Sequence, residues 1–382
     1  ATGLSVSTAS ATPNMVIGDS LGIGASVALN IIDDSAAARV VAGAALIFAA
    51  AMAFAVIASG GHKTTTTAEA GAGSSGVTIA PAIAITVSDV SRTADVGGSG
   101  DPVLELLGSL TIAGRAPPAA STTATTATGS AESSGSAAAG ISLALTIATH
   151  DVTANLNRSV TAGGDVTVEA IGQSQTTSTA TASAKGAPSS GEPGAPDEGG
   201  AAGNVDSQVT EQRDLADSQA AANTGTSTGT SATPSASDSS GTLTVAAAIA
   251  INLATNTTTA GIAAGVTVTA ATGTVPVSSA NNTDAAATAD GGAADPGTSP
   301  AVGVAVAINS ATTNNTAQLN GTVVANVVMI DANSEIDGDL AHALGATAKS
   351  GASGDGVAVA VSLALNISNL NSTAEIGATG DV

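Results

Sequence analysis

Side chains that could do chemistry are few and widely spaced in this sequence of 382 residues. The three histidines, His62, His150 and His342, lie far apart and show no ligand spacing such as His-x-x-His, so they predict no metal site. No cysteine is available as a thiolate ligand or nucleophile. The sequence also has no Ser-His-Asp spacing and no nucleophile elbow, so it favours a protein that is not an enzyme.

Paired carboxylates are the remaining candidates for a bound ion. Asp33 with Asp34, and Asp337 with Asp339, could bind Ca²⁺ loosely, although surface turns in an acidic chain explain these pairs more simply. The stretch "GGSGDPVLE" (97–105) has the composition of calcium-binding nonapeptides, but it lacks their spacing and does not recur. It therefore predicts a plain turn. We expect no cofactor beyond loosely bound Ca²⁺.

Composition limits the partners and the core. Asp and Glu outnumber Lys and Arg by 30 to 8, and the net charge of −22 argues against binding nucleic acid or anionic lipid. The chain has two Phe and no Trp or Tyr. Its core must therefore be thin and built from Ala, Val, Ile and Leu. The lack of aromatics for sugar stacking also argues against a polysaccharide-cleaving enzyme.

An internal repeat organises the chain. The stretches "INLATNTTTAGI" (251–262), "INSATTNNTAQL" (308–319) and "LNISNLNSTAEI" (365–376) share one pattern, and their Asn residues lie 57 residues apart. Three earlier copies extend it. The Asn column reads Asn30, Thr86, Thr146, Asn252, Asn309 and Asn366.

A second column of the repeat is aliphatic in all six copies. It reads Val40, Val96, Leu156, Ile262, Leu319 and Ile376. An Ala precedes each of these residues by two positions. Two columns without an exception indicate stacked structural units whose core runs through all copies.

One long interval between copies has a visible cause. Residues 186–240 are rich in Gly, Ser, Pro and acids, with almost no large apolar side chain, so they predict a disordered acidic loop inserted into one repeat. The expected organisation is therefore one continuous solenoid, formed by 1–185 and 241–382 and interrupted by that loop. A shorter loop of the same kind is expected at 278–300.

Strict alternation before each Asn predicts β-strands. "TLTVAAAIAIN" (242–252) and "GVAVAVSLALN" (356–366) are examples, and their alternate residues are small, so we expect both faces to be covered. We interpret each unit as several short strands, forming two or three coils of a β-solenoid. The Asn column would then stack within turns, and six units would make a rod of roughly 60 to 90 Å at the usual strand spacing.

The stretch "VVAGAALIFAAAMAFAVIA" (40–58) is uncharged and long enough to span a bilayer. It begins on the repeat column at Val40, which favours a buried part of the solenoid. A membrane helix and a helix packed on the rod remain open as alternatives.

The runs "GVAVAVSLALNISNLNSTAEIG" and "AGGDVTVEA" resemble the β-strand repeats of giant bacterial surface proteins, namely large adhesins, autotransporter passengers and filamentous-haemagglutinin-like exoproteins. The resemblance covers most of the chain outside the loops. It implies a right-handed parallel β-helix, export to the cell surface, and a role as spacer, adhesin or fibre. It implies no catalytic residue.

Three hypotheses of function follow from these features. The first is a structural segment of an exported bacterial surface protein, extracellular, forming a stiff rod or self-assembling into a homopolymeric fibre. The second is an adhesin stalk whose loops contact a host cell, a neighbouring cell or the matrix. The third is a membrane-associated protein that uses residues 40–58.

Overall fold

The computed structural model describes residues 3–13, 15–48, 51–117, 121–135, 137–186, 243–294, 300–354 and 356–382. It is all-β, with 79% of the residues in strands and no helix in the described ranges. The nineteen strands form two sheets. Every ladder between two of these strands is parallel, so the expected all-β class with parallel strands is confirmed.

The seven-stranded sheet contains the longest uninterrupted ladder. Its strands are β3 (Leu21–Ile23), β4 (Ser26–Val40), β7 (Val77–Val96), β11 (Ala137–Leu156), β14 (Leu243–Ile262), β16 (Ala301–Leu319) and β19 (Ala358–Ile376). Their order is β19-β16-β14-β11-β7-β3, and β4 also pairs with β7.

The twelve-stranded sheet is more broken. Its strands are β1 (Leu4–Ala11), β2 (Val16–Gly18), β5 (Phe54–Ser59), β6 (Gly61–Ser74), β8 (Leu104–Leu106), β9 (Leu110–Ala116), β10 (Ser121–Ser133), β12 (Val160–Ala162), β13 (Val166–Lys185), β15 (Thr267–Ala294), β17 (Thr322–Asn333) and β18 (Leu344–Ser353). Along the chain, groups of one to three strands of this sheet alternate with strands of the seven-stranded sheet. Each repeat unit thus contributes to both sheets.

Neighbouring strands are separated by one whole repeat unit. Asn252 stands opposite Asn309, which stands opposite Asn366. The expectation of two or three coils per unit is therefore wrong, because one unit supplies a single row to each sheet. Six rows at about 4.8 Å span roughly 24 Å between the outermost strands of the ladder, less than half of the expected rod length.

The strands are longer than expected because polar tracts continue them. The stretch 278–300, expected to be a loop, belongs to β15 as far as Ala294, and 295–299 lie outside the described residues. Its Asn281 and Thr283 side chains are buried against the facing sheet, so their polarity does not end the strand. The predicted acidic loop, 186–240, lies outside the described residues except for Gly186. The ladder nevertheless continues, because β11 pairs directly with β14.

The space between the sheets is thin, as the composition predicts. One core cluster consists entirely of alanines, and a second is built from Val, Leu, Ile and Ala. Gly291 and Gly303 lie at a close approach of the two sheets. A Cβ atom added to Gly291 would lie 2.0 Å from the carbonyl oxygen of Val304, and one on Gly303 would lie 2.1 Å from that of Gly351. Only small residues can therefore face inward here.

Large aliphatic side chains lie on the outside of the seven-stranded sheet. In β16, Ala305 and Ala307 are buried, whereas the alternating residues Val304 and Val306 point outward. The expectation that both faces are covered is wrong for the described residues, since many outward aliphatics are exposed. The narrow inter-sheet space admits Ala or Gly, so the bulkier residues of each alternating pair are displaced to the outer face.

Residues 40–58 contain no helix in the part that the structure describes. Val40 ends β4, residues 41–48 and 51–53 have no regular structure, and β5 begins at Phe54. Ile47 is 94% exposed, whereas Val56 and Ala58 of β5 are buried. The stretch is therefore neither a packed helix nor wholly buried. Within the described residues, no helix has the length and apolar character needed to cross a membrane.

Candidate functional site: stacked side-chain ladders between the sheets

The Asn column was expected within turns. It lies instead in the middle of long strands. Asn30, Asn252 and Asn309 are buried and face the twelve-stranded sheet. The register runs without a break from Asn30 to Thr86, Thr146, Asn252, Asn309 and Asn366. The repeat thus places six hydrogen-bonding side chains in one row along the stacking direction.

The later part of this row is an amide ladder. The Asn252 Nδ2 atom donates a hydrogen bond of 2.9 Å to Asn309 Oδ1, and Asn309 Nδ2 donates one of 2.8 Å to Asn366 Oδ1. Asn252 Nδ2 also lies 3.0 Å from the hydroxyl of Thr176 in the facing sheet. An amide has both a donor and an acceptor, so each side chain can bind the next at the strand spacing.

Threonine hydroxyls continue the row in the earlier part of the chain and join the two sheets. The Thr86 hydroxyl lies 2.7 Å from that of Thr66 and 2.6 Å from that of Thr125, and Thr146 donates to Thr125 over 2.8 Å. Since Thr66 and Thr125 belong to the twelve-stranded sheet, these bonds cross the interior. They satisfy hydroxyl groups that would be costly to bury alone.

The aliphatic column closes one side of the interior. Val40, Val96, Leu156, Ile262, Leu319 and Ile376 are the last residues of six strands of the seven-stranded sheet, and each stands opposite the next. The four central members are almost completely buried in the aliphatic core cluster, whereas Ile376, on the terminal strand, is exposed. Stacking these side chains at strand spacing removes a continuous apolar edge from water.

Two histidines meet inside the molecule although they lie far apart in the sequence. His62 of β6 and His150 of β11 have their Nε2 atoms 3.1 Å apart and their ring centroids 4.6 Å apart. His62 Nε2 is also 3.2 Å from the Thr123 hydroxyl. At this distance one Nε2 carries the hydrogen and the other accepts it, which requires that the pair not be doubly protonated.

An ion pair lies beside the histidines. The Arg92 guanidinium, 1% exposed, donates to Asp34 Oδ2 over 2.7 Å and to the Gly60 carbonyl over 2.8 Å. Its other bonds go to the backbone carbonyls of Asp34 and Ser91. The guanidinium is thereby occupied by protein groups and holds both sheets together.

Burial sets the protonation states of this cluster. Burial first, and then the charge of Arg92, lower the pKa of His62 to about 4, while Asp34 offsets a part of this effect. Burial, His62 and Arg92 lower the pKa of His150 well below its usual value. Burial alone would raise the pKa of Asp34, but hydrogen bonds from Arg92 and Ser5 outweigh it and lower that pKa. Both histidines are therefore neutral at pH 7.

The carboxylates considered for Ca²⁺ are separated or already bound by the backbone. Asp33 points outward from β4, while Asp34 points inward to Arg92. Asp101, in the 97–105 stretch, accepts backbone hydrogen bonds from Gly43 (2.7 Å) and Gly98 (2.8 Å), which lower the pKa of its carboxyl.

The second carboxylate pair, Asp337 and Asp339, lies in a tight turn. Asp337 has a positive φ of 52°, and Asp339 Oδ1 accepts a bond from the Ala341 amide. Across the described ranges, no group of three or more His, Cys, Asp or Glu side chains is arranged to hold a metal ion.

The side chains that face the interior form rows that link the strands of both sheets. Rows of amides, hydroxyls and methyl groups repeat along the stacking direction, and each row links one strand to the next. The sequence reasoning found the two repeat columns but missed the histidine pair and the ion pair. Comparison with family models, curated proteins and solved structures found no match to this chain.

Proposed function

We propose that this chain is a structural, non-catalytic segment of an exported bacterial surface protein, in which a right-handed parallel β-solenoid forms a stiff extracellular rod. The observation that carries the proposal is the unbroken register of the repeat. One 57-residue unit separates Asn252, Asn309 and Asn366, and the same spacing joins their hydrogen-bonded amides. A sequence that repeats in step with its own ladder can lengthen without changing its contacts.

Stiffness follows from the number of parallel connections along the stacking direction. Every row is joined to the next by backbone ladders in both sheets, with up to 20 paired residues between β11 and β14. The amide and hydroxyl row adds bonds in the same direction inside the sheet pair. Bending such a body would stretch many bonds at once, and this suits a spacer that holds parts of a surface protein apart.

Export is supported by composition and by the resemblance to bacterial surface repeats. The chain folds without cysteine, so it needs no oxidative folding after secretion, and its net charge of −22 keeps an extended body soluble. Among the described strands β19 pairs with β16 alone, and its other edge offers backbone groups to a further parallel strand. Addition of a second copy at such an edge would lengthen the rod into a homopolymeric fibre.

Electron cryo-microscopy of the purified chain in detergent-free buffer tests this proposal. We expect rods or fibres whose rows repeat at about 4.8 Å along the stacking direction. Fibres longer than one chain would support end-to-end addition, whereas short rods of constant length would restrict the role to a spacer. Compact particles without that repeat, or material that dissolves only in detergent, would contradict the rod.

A further inference from the structure

One half of the outer face of the seven-stranded sheet is an aliphatic field. We define it as the outward side chains in the first half of β4, β7, β11, β14, β16 and β19. Its central column is Val27, Ile83, Leu143, Ile249, Val306 and Leu363. The two columns on each side consist mostly of Val, Ile and Leu, with Pro81, Ala139, Ala247 and Ser310 among them, and the field contains no charged residue.

The other half of the same outer face is polar. Beyond the field, the outward positions are mostly Asp, Ser, Thr and Asn, beginning with Asp33 in β4, Asp89 in β7 and Thr149 in β11. The outer face of the twelve-stranded sheet is largely polar, and exposed large aliphatics such as Val6 of β1 and Val327 of β17 lie on its outermost strands. Its longest threonine column is Thr67, Thr126, Thr179, Thr288 and Thr347. The aliphatic field is thus confined to one place on the surface.

The field is large enough to hold two proteins together. Six strands at about 4.8 Å and five outward columns at about 6.6 Å cover roughly 650 Å². Single soluble proteins usually expose apolar patches of about 300 to 600 Å² at most. Two such fields in contact would bury about 1,300 Å², within the usual range of about 1,200 to 2,000 Å² for stable interfaces.

A second copy of the chain fits this surface better than the other available occupants. Residues 187–242 contain eight acids but only three large aliphatic side chains, Val205, Val209 and Leu215, too few to cover the field. A bilayer surface is disfavoured because the chain has a net charge of −22 and no Trp or Tyr for the interface. The copy's own field has the required flat, uncharged and equally wide surface.

We infer that the aliphatic field is the contact surface for a second copy of this chain, with the two seven-stranded sheets packed face to face. The acids restrict the symmetry of the pair. A two-fold axis along the stacking direction places field on field and directs the two polar halves, with Asp33 and Asp89, to opposite sides. An axis along the strands would instead place polar half over polar half. The inference goes beyond the proposed rod, because it concerns the side of the sheet pair and not its ends.

Thiol cross-linking tests the contact directly, since the natural chain has no cysteine. In this symmetry the central column lies on the axis, so Ile249 faces the second copy's Ile249 across about 10 Å between packed sheets. The Ile249→Cys variant should give a covalent dimer with a cross-linker that bridges this distance. The control, Thr179→Cys, places the same thiol on the polar outer face of β13 and should remain monomeric on a denaturing gel. Equal cross-linking of both variants, or of neither, would overturn the inference.

Sedimentation equilibrium of the unmodified chain gives an independent measurement. We expect a dimer at micromolar concentration that strengthens with salt, because salt screens repulsion between two acidic copies. Ile249→Lys should raise the dissociation constant at least about tenfold, since it buries a charge in each copy, whereas Thr179→Lys should not. Circular dichroism checks that both variants fold.

Other occupants predict different results. A chain that stays monomeric at about 100 μM, with Ile249→Cys protected from a thiol reagent, has its field covered by its own residues. A monomeric chain that floats with phosphatidylcholine vesicles binds lipid instead. Either result overturns the inference. Cross-linking at Ile249 reports only on the contact between the two seven-stranded sheets. Fibres that fail to cross-link there would therefore still support end-to-end addition. Cross-linked dimers that form no fibres would oppose end-to-end addition.

Discussion

Asn309 has a polar side chain on the inward face of β16, where the next inward residues on either side are Ala307 and Ala311. It is fully buried, accepts a bond from Asn252 and donates one to Asn366. A buried amide is tolerated only when its hydrogen bonds are made, and here the repeat supplies the partners. The row therefore favours the correct register, because a slip by two residues, which keeps the same face inward, would place Ala opposite Asn.

Replacing Asn309 tests the contribution of the amide row. Asn309→Ala removes two hydrogen bonds and leaves the Asn252 amide without its acceptor in the row, so we expect a loss of about 1–3 kcal/mol in the free energy of unfolding. Chemical denaturation measures it. The control is Asn314→Ala in the same strand, where the side chain points outward and bonds to Asn371 in an exposed position. Equal losses for both variants would show that the buried row contributes nothing special.

The histidine pair should make stability depend on pH. The folded-state pKa of His62 is about 4, below the unfolded value near 6.5, so the unfolded chain binds more protons between these values. Stability from this pair is complete above pH 6.5 and is lost as the pH falls toward 4. The loss is on the order of 3 kcal/mol for His62.

The variant His62→Ser/His150→Asn isolates this effect, because Ser121 and Asn256 occupy the same columns in neighbouring rows. We expect it to fold at pH 7 and to show a flatter decline in the midpoint of urea unfolding between pH 6.5 and 4.5. A decline as steep as that of the natural chain would mean that carboxylates, including Asp34, carry the acid sensitivity alone.

At the scale of the strands, the size of the inward-facing residues sets the distance between the two sheets. Gly291 and Gly292 are consecutive in β15, yet they face opposite ways. A Cβ on Gly291 would meet the Val304 carbonyl at 2.0 Å, whereas a Cβ on Gly292 has nothing within 4 Å. The two residues therefore separate the effect of inter-sheet spacing from the effect of glycine itself.

Gly291→Ala should destabilise the fold by about 3 kcal/mol or more, because backbone must move to admit the methyl group. Gly292→Ala should be neutral or stabilise by about 0.5 kcal/mol, since alanine restricts the unfolded chain more than glycine does. Thermal unfolding of the two variants decides the matter. Similar melting temperatures would mean that the sheets can separate locally at little cost.

Strand lengths show what the sequence could and could not predict. The columns from Asn30 to Asn366 and from Val40 to Ile376 were visible as repeats, and the alternation before each Asn predicted strands. The Asn column was expected within turns, although the polar tract after it continues the strand, with Asn256 and Thr258 as inward residues of β14. Polarity marks a turn only when the residues face water, and here a second polar surface faces them.

The histidine contact was beyond sequence reasoning for a different reason. His150 follows Thr146 by four positions, as Asp34 follows Asn30 and Asn256 follows Asn252. A residue at an even offset from an inward residue of the same strand also points inward, so the burial of His150 could have been predicted. The partner was not, because His62 belongs to the other sheet and the sequence does not reveal how the two sheets are aligned.

For the molecule as a whole, the central claim is that one repeat unit supplies one row. Asp89 of β7 and Asn369 of β19 occupy the same outward column, and β11, β14 and β16 lie between them. Four steps at about 4.8 Å place their backbones about 19 Å apart. Both positions are exposed, and the absence of cysteine allows two labels to be attached without further changes.

The most direct test is the distance between spin labels in the variant Asp89→Cys/Asn369→Cys, measured by pulsed electron paramagnetic resonance in a large excess of unlabelled protein. The excess dilutes labels on neighbouring copies. One row per unit predicts a narrow distribution centred near 20 Å. Two or three rows per unit would place the labels about 38 Å apart or farther. A peak in that longer range, or a broad distribution without a peak, would contradict the stacking on which the ladders, the rod and the aliphatic field depend.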